Sequence, residues 1–150
     1  FNLSLNGANG KFGFVDIIDN YGGTNAANLA TYYAGIAYLN TGKYQEAIQY
    51  LDKFKADDAN VAPIAKGAIG DAFAQLEQQQ DALKYYENAA SMSSSDLTAP
   101  RFLLKAGITA INLGKSAIAL KHFNTIIENY PKSPESKKAI LYQGKAEAMQ

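Results

Sequence analysis

The sequence has no cysteine and no tryptophan, and only one histidine and four prolines in 150 residues. Without cysteine there is no disulfide, no thiol nucleophile and no cysteine-ligated metal. That composition suits an oxidising compartment that avoids stray thiols, and suits a cytosol almost as well. The single imidazole, His122, is a poor start for a metal site. It lies one residue before an apolar position, Phe123, and is expected at a helix edge, exposed or packed. No stretch approaches the run of about 18 apolar residues that a membrane-spanning helix needs. Net charge is also missing, with 14 Lys and Arg against 14 Asp and Glu, so bulk charge does not mark a nucleic-acid binder. The balance hides a polarity. Residues 1–100 carry six basic and eleven acidic side chains, and residues 101–150 carry eight and three. Ordinary scatter produces such a bias, and so does selection for an oriented encounter with a partner.

What is present is a period. The stretches "YYAGIAYLNTGKYQEAIQYLDKF" (32–54), "GAIGDAFAQLEQQQDALKYYENA" (67–89) and "LKAGITAINLGKSAIALKHFNTI" (104–126) align in register. Gly35, Gly70 and Gly107 share one column, Ala47, Ala82 and Ala119 a second, and Leu51, Tyr86 and Phe123 a third. A repeat of about 35–37 residues marks a helical solenoid. Within each unit apolar residues recur at three and four, as in Ala47, Ile48, Leu51 and Phe54, and a strand-like alternation never persists. Each unit therefore reads as two antiparallel helices. The small columns let the helices approach closely. One hairpin cannot cover its own apolar faces, so neighbours must stack.

The expected fold is an all-α helical-hairpin solenoid forming a single domain over 1–150. It has a loose N-terminal segment with a short helix (1–23), repeats at 24–60, 61–98 and 99–133, and a half repeat or cap at 134–150. The short helix is placed at 14–21, stopped by Gly22 and Gly23, with Thr24 or Asn25 capping the next helix. "SLNGANGKFG" reads as loose, and the serine-rich 91–100 as a bend or joint between repeats. Gly144 falls in the Gly107 column, on a first helix whose partner is absent.

Gly114-Lys115-Ser116 ends like a phosphate-binding loop, but the leading glycine of that motif is replaced by Thr109. The position also lies in a helical pattern, where backbone N–H groups are already committed. Gly42 occupies the same column in the first repeat, so both glycines read as turns with positive φ. Glu77 stands there in the second repeat. Asp16 with Asp19, and Asp57 with Asp58, are paired carboxylates that could flank a glycosidic bond or take a divalent ion. Aspartates also mark helix ends and wet faces, which is the plainer reading. No serine is joined by a suitable base, and no catalytic residue, metal site or cofactor site is assigned. Most of the ten tyrosines are expected in the core, with hydroxyls at its rim.

These columns resemble tetratricopeptide repeats, over about residues 28–150. The family's small residues at the eighth and twentieth positions are matched by Gly35, Gly70 and Gly107 and by Ala47, Ala82 and Ala119. Its apolar or aromatic positions are matched by Tyr38, Phe73, Leu51, Tyr86 and Phe123, its glycine by Gly42 and Gly114, and its late proline by Pro131. Ala110 departs from the usual aromatic. The resemblance implies a non-catalytic scaffold for protein–protein interaction, with a protein or peptide bound on a concave face built from the first helices. Carried over position by position, that groove comprises Tyr32, Ile36, Leu39 and Asn40, then Asp71 and Gln75, then Arg101, Lys105, Ile108 and Asn112, then Tyr142 and Lys145. It would be apolar and acidic early and cationic late. One subfamily clamps a terminal carboxylate. Arg101 and Lys105 match its third-repeat cations, but Tyr32, Ile36 and Ala68 replace its lysine and asparagines. The alternative to a peptide scaffold is a structural or oligomerisation module that stacks through its terminal helices.

A narrower stretch, 14–48, is similar to bacterial envelope proteins related to the ancillary subunit of the SecYEG translocon. That resemblance implies a periplasmic location in the cell envelope, with a cytoplasmic one as the alternative in its absence, and translocon or envelope chaperone components as partners. Nucleic acid is not implied, and the membrane is met only through an N-terminal anchor ahead of Phe1.

Overall fold

The computed structural model describes residues 1–7, 11–56, 60–93 and 95–150. Among them are nine helices and no strand: α1 (Asn2–Asn6), α2 (Phe14–Asn20), α3 (Asn25–Asn40), α4 (Tyr44–Lys53), α5 (Val61–Gln75), α6 (Gln79–Met92), α7 (Ala99–Asn112), α8 (Ser116–Asn129) and α9 (Pro134–Glu147). Each packs mainly on the next, from α2 on α3 through to α8 on α9. Contacts of α3 with α5 and of α7 with α9 bring first helices side by side. The pairs α3/α4, α5/α6 and α7/α8 are the hairpins that the periodicity predicts.

The small columns act as expected. An added Cβ at Gly35 would lie 2.5 Å from Leu51 Cγ, and one at Gly70 would lie 2.7 Å from the Tyr86 ring. Ala47, Ala82 and Ala119 are completely buried, so each hairpin closes on backbone-to-side-chain contact. Gly107 likewise faces the Phe123 ring, whereas Gly144, in the same column, has nothing within 4 Å. Between hairpins, Gly67 of α5 receives the ring of Phe102 from α7. The largest core cluster gathers Tyr86, Phe102, Phe123 and Ile126 around the second and third hairpins, with Tyr142 of α9 packed against it.

The helix ends follow from local chemistry. The Thr24 hydroxyl accepts from Ala27 N–H at 3.1 Å, capping α3, a contact worth about 1 kcal/mol. Gly42 and Gly114 have φ of 77° and 70°, and Glu77 takes the same left-handed turn at φ 60°. At the third turn the Gly114 and Lys115 N–H groups donate to the carbonyls of Ile111 and Ala110, at 2.9 and 2.8 Å. The Lys115 ammonium donates to Gln80 Oε1 at 2.8 Å. The Gly-Lys-Ser tripeptide is thus a helix turn tied to the preceding repeat.

Two features differ from the sequence reading, the N-terminal segment and the tyrosines. The segment expected to be loose carries α1, whose Leu5 is buried against Ala34 and Ala37. His122, expected at a helix edge either exposed or packed, is the packed case: it is buried on α8, and its Nε2 lies 2.9 Å from Oε1 of Glu87 on α6. Of the ten tyrosines only Tyr86 is buried, while Tyr21 and Tyr33 are exposed and the rest half-buried, because the ring stems pack while the hydroxyls reach the surface. Asp57, Asp58 and Ser94 lie outside the described residues. Asp16 serves as a cap, accepting from Gly13 N–H at 2.8 Å.

Candidate functional site

The first helices α3, α5 and α7 line a common wall in which two cavities adjoin. One, of about 520 Å³, is bounded by Leu39, Asn40, Tyr44, Asp71, Gln75 and Lys105, among others. The other, of about 250 Å³, includes Ile36, Ile64, Gly67, Arg101 and Phe102. Leu39, Asn40 and Asp71 belong to both, which makes the two continuous. Of the residues carried over from the repeat resemblance, the structure brings seven to this surface: Ile36, Leu39, Asn40, Asp71, Gln75, Arg101 and Lys105.

The other five stand elsewhere. Tyr32 packs on Phe54 and Tyr33, with ring centroids 5.1 and 5.4 Å apart. Ile108 is packed against the main core, and Tyr142 stacks on Phe123 at 5.9 Å. Asn112 and Lys145 are exposed outside the two cavities.

The charge pattern of the surface is not the simple gradient expected from the order of residues. Asp71 accepts from Lys105 Nζ at 2.5 Å and from the Tyr86 hydroxyl at 2.7 Å. The Lys105 ammonium also lies 5.4 Å from the centre of the Tyr86 ring. These two charges cancel at the middle of the wall, and Arg101 is left as its unpaired cation among the described residues. Asn40 donates to the Ile36 carbonyl of its own helix at 2.9 Å. What is offered to a ligand is a mixed surface: Ile36, Leu39 and Ile64 supply apolar area on the side of Arg101, and Asn40, Gln75 and the Asp71–Lys105 pair make the larger cavity polar.

Sequence reasoning missed Tyr44, Ile64, Phe102 and Tyr86 as parts of this surface. A usable signal existed. Polar partners recur about one period apart, as in Asp71 with Lys105, Glu87 with His122, and Gln80 with Lys115. Residues one repeat apart in a solenoid lie side by side, so complementary types in equivalent columns predict contact.

Burial, then the adjacent Asp71 charge and its hydrogen bond, push the Tyr86 phenol well above the ordinary tyrosine range. Tyr32, Tyr50 and Tyr85 move the same way, with burial the first cause in each. A raised pKa in the folded state keeps the proton on when the unfolded chain has lost it. The stabilisation is complete below the unfolded tyrosine value of about 10 and is lost as pH rises beyond it. We expect the melting temperature to fall from about pH 10 upward, and tyrosinate absorbance to lag until unfolding. Tyr86→Phe should flatten that fall. A wild-type melting temperature constant through pH 11 would contradict the coupling.

No group of three or more His, Cys, Asp or Glu side chains placed to hold a metal occurs among the described residues. No described helix is long and apolar enough to cross a membrane.

Comparison with known proteins agrees with this architecture. Two tetratricopeptide-repeat family models match, one over residues 19–62 and the other over 102–133. No curated protein matches the sequence. Among solved structures, the crystal structure of PcrH in complex with the chaperone binding region of PopB superposes with a TM-score of 0.61 at 20% identity. The match covers 86% of this chain and 98% of that one. At that identity the likeness is one of fold. Hairpin order, the small-residue columns and the matched repeats converge: the chain is an all-α solenoid of tetratricopeptide-like helical hairpins.

Proposed function

We propose that the protein is a non-catalytic scaffold that binds a protein segment reversibly on the concave wall of α3, α5 and α7. The observation that carries this reading is the continuity of the two cavities through Leu39, Asn40 and Asp71. A preformed groove of mixed apolar and polar lining is the kind of surface that can anchor a side chain and hydrogen-bond a backbone without chemistry. The PcrH structure, in which a fold of this kind is in complex with the chaperone binding region of PopB, supports a polypeptide ligand.

The test is a selection from a randomised peptide library, followed by calorimetry on synthetic peptides. Replacing Ile36 and Leu39 together by alanine should weaken binding by about tenfold or more, since each loses a buried apolar contact worth about 1–2 kcal/mol. Helicity should be unchanged, because both side chains are only partly buried. Unaltered affinity would move the site to another face.

The envelope setting belongs to the same proposal through the likeness of residues 14–48. It comprises an anchor ahead of Phe1, a periplasmic location, and translocon or envelope chaperone components as partners. Protease accessibility in spheroplasts is its test. A full-length protein protected until the inner membrane is lysed would overturn the periplasmic placement.

A further inference from the structure

The two cavities of the concave wall follow one another along α5. Ile64, Gly67 and Ala68 line only the smaller, Ala74 and Gln75 only the larger, and Asp71 lines both. At about 1.5 Å of rise per residue, Ile64 and Gln75 stand about 16 Å apart on one face of the helix. The groove is thus a valley parallel to α5. Ile36, Leu39 and Asn40 of α3 form one side, and Arg101 and Lys105 of α7 the other. Its floor is low: Ala68 and Ala74 flank Asp71, and the Phe102 ring covers Gly67.

Most polar groups of the valley are already engaged within the chain. Asp71, Lys105 and the Tyr86 hydroxyl hold one another. The Tyr44 hydroxyl donates to Gln75 Oε1 at 3.3 Å, Asn40 Nδ2 donates within α3, and Thr98 pairs with Ser93. Asn40 Oδ1, Gln75 Nε2 and the Arg101 guanidinium are left. An extended segment as long as the valley has roughly ten backbone N–H and C=O groups, and those turned to the wall would share three partners. A helix of the same length, about three turns, satisfies all but its end groups internally.

We infer that the groove takes a helical segment of a partner protein, about three turns long, laid antiparallel along α5. The inference rests on the groove reading above and adds the shape, charge and direction of the occupant. Its apolar stripe, spaced at three and four, packs over Ala68 and Ala74 and against Ile36, Leu39 and Ile64. The small floor residues let the two helix axes approach closely. The middle of the stripe is uncharged, because a charge of either sign would compete with the Asp71–Lys105 pair beneath it. Direction follows from the unpaired cation. Arg101 lies in the cavity at the Ile64 end and not in the other, so it favours the negative, C-terminal end of the occupant's dipole. That placement also opposes the dipoles of the two helices.

The probes are peptides selected from the randomised library on the 150-residue chain, kept when replacing Ile36 and Leu39 by alanine weakens them. Isotope-labelled versions should show helical Cα chemical shifts in the complex across about three turns. A proline placed mid-peptide should reduce affinity about a hundredfold, since it breaks a helix. A nitroxide on the last peptide residue should broaden the amides of Ile64 and Arg101 most, and one on the first residue that of Gln75. Peptides that depend on Ile36 and Leu39 but are extended when bound overturn the helix and leave the groove reading standing. Labels that report the reverse order overturn the antiparallel placement. A selection that yields no peptide sensitive to Ile36 and Leu39 removes the groove reading, and this inference with it.

Discussion

Phe123→Ala should cost about 3–5 kcal/mol, the range for removing a fully buried aromatic side chain. The ring is 0% exposed, faces Gly107 and stacks on Tyr142. Its loss opens a cavity between α7, α8 and α9 that neighbouring side chains fill only in part. Each hairpin rests chiefly on its neighbours, so the damage should start at the C-terminal end. Hydrogen exchange should show α9 deprotected first, while α3 and α4 keep near-native protection. A melting temperature within a degree of wild type would show that Phe123 is not the keystone of this end. Uniform deprotection would show that the stack unfolds as one unit.

Gly35→Leu is the second large effect, and it comes from the opposite fault. A Cβ at Gly35 would sit 2.5 Å from Leu51 Cγ, and also 3.2 Å from the Leu51 backbone nitrogen. A rotamer change relieves the first contact but not the second, so α3 and α4 must separate. Overpacking of this kind costs about 1–3 kcal/mol, occasionally more, and a leucine in place of a single added carbon belongs at the upper end. Gly144→Leu is the matched control. It occupies the same column, nothing lies within 4 Å of its added Cβ, and its thermal stability should equal or slightly exceed that of wild type. Equal melting temperatures for Gly35→Leu and the unaltered chain would refute the close-packing role of the column.

The contrast between Gly35 and Gly144 shows how far sequence reaches here. The repeat columns were legible because helices in close contact demand small side chains, and smallness at fixed spacing is visible in a string of letters. The turns at Gly42 and Gly114 were legible for a similar local reason, since left-handed backbone favours glycine. α1 was not, because asparagine and glycine around Leu5 look like loop, and only the half-open flank of α2 and α3 gives that leucine somewhere to go. Burial of His122 depends on Glu87 in the neighbouring repeat, which no local pattern contains. In the groove, seven of the residues carried over converge, but their charges do not act as counted. Asp71 and Lys105 had been read as separate acidic and cationic features, and they neutralise each other across α5 and α7. Tyr32 was assigned to the groove on position alone, whereas Phe54 at the end of α4 draws its ring away.

The cavity bounded by Ile36 and Arg101 touches three successive first helices, and those helices belong to three stacked hairpins. Any segment seated there would act as a strut fixing the pitch of the coil. The far turns would then stiffen without being touched, and the molecule would report occupancy as a change in its elastic response rather than in its shape.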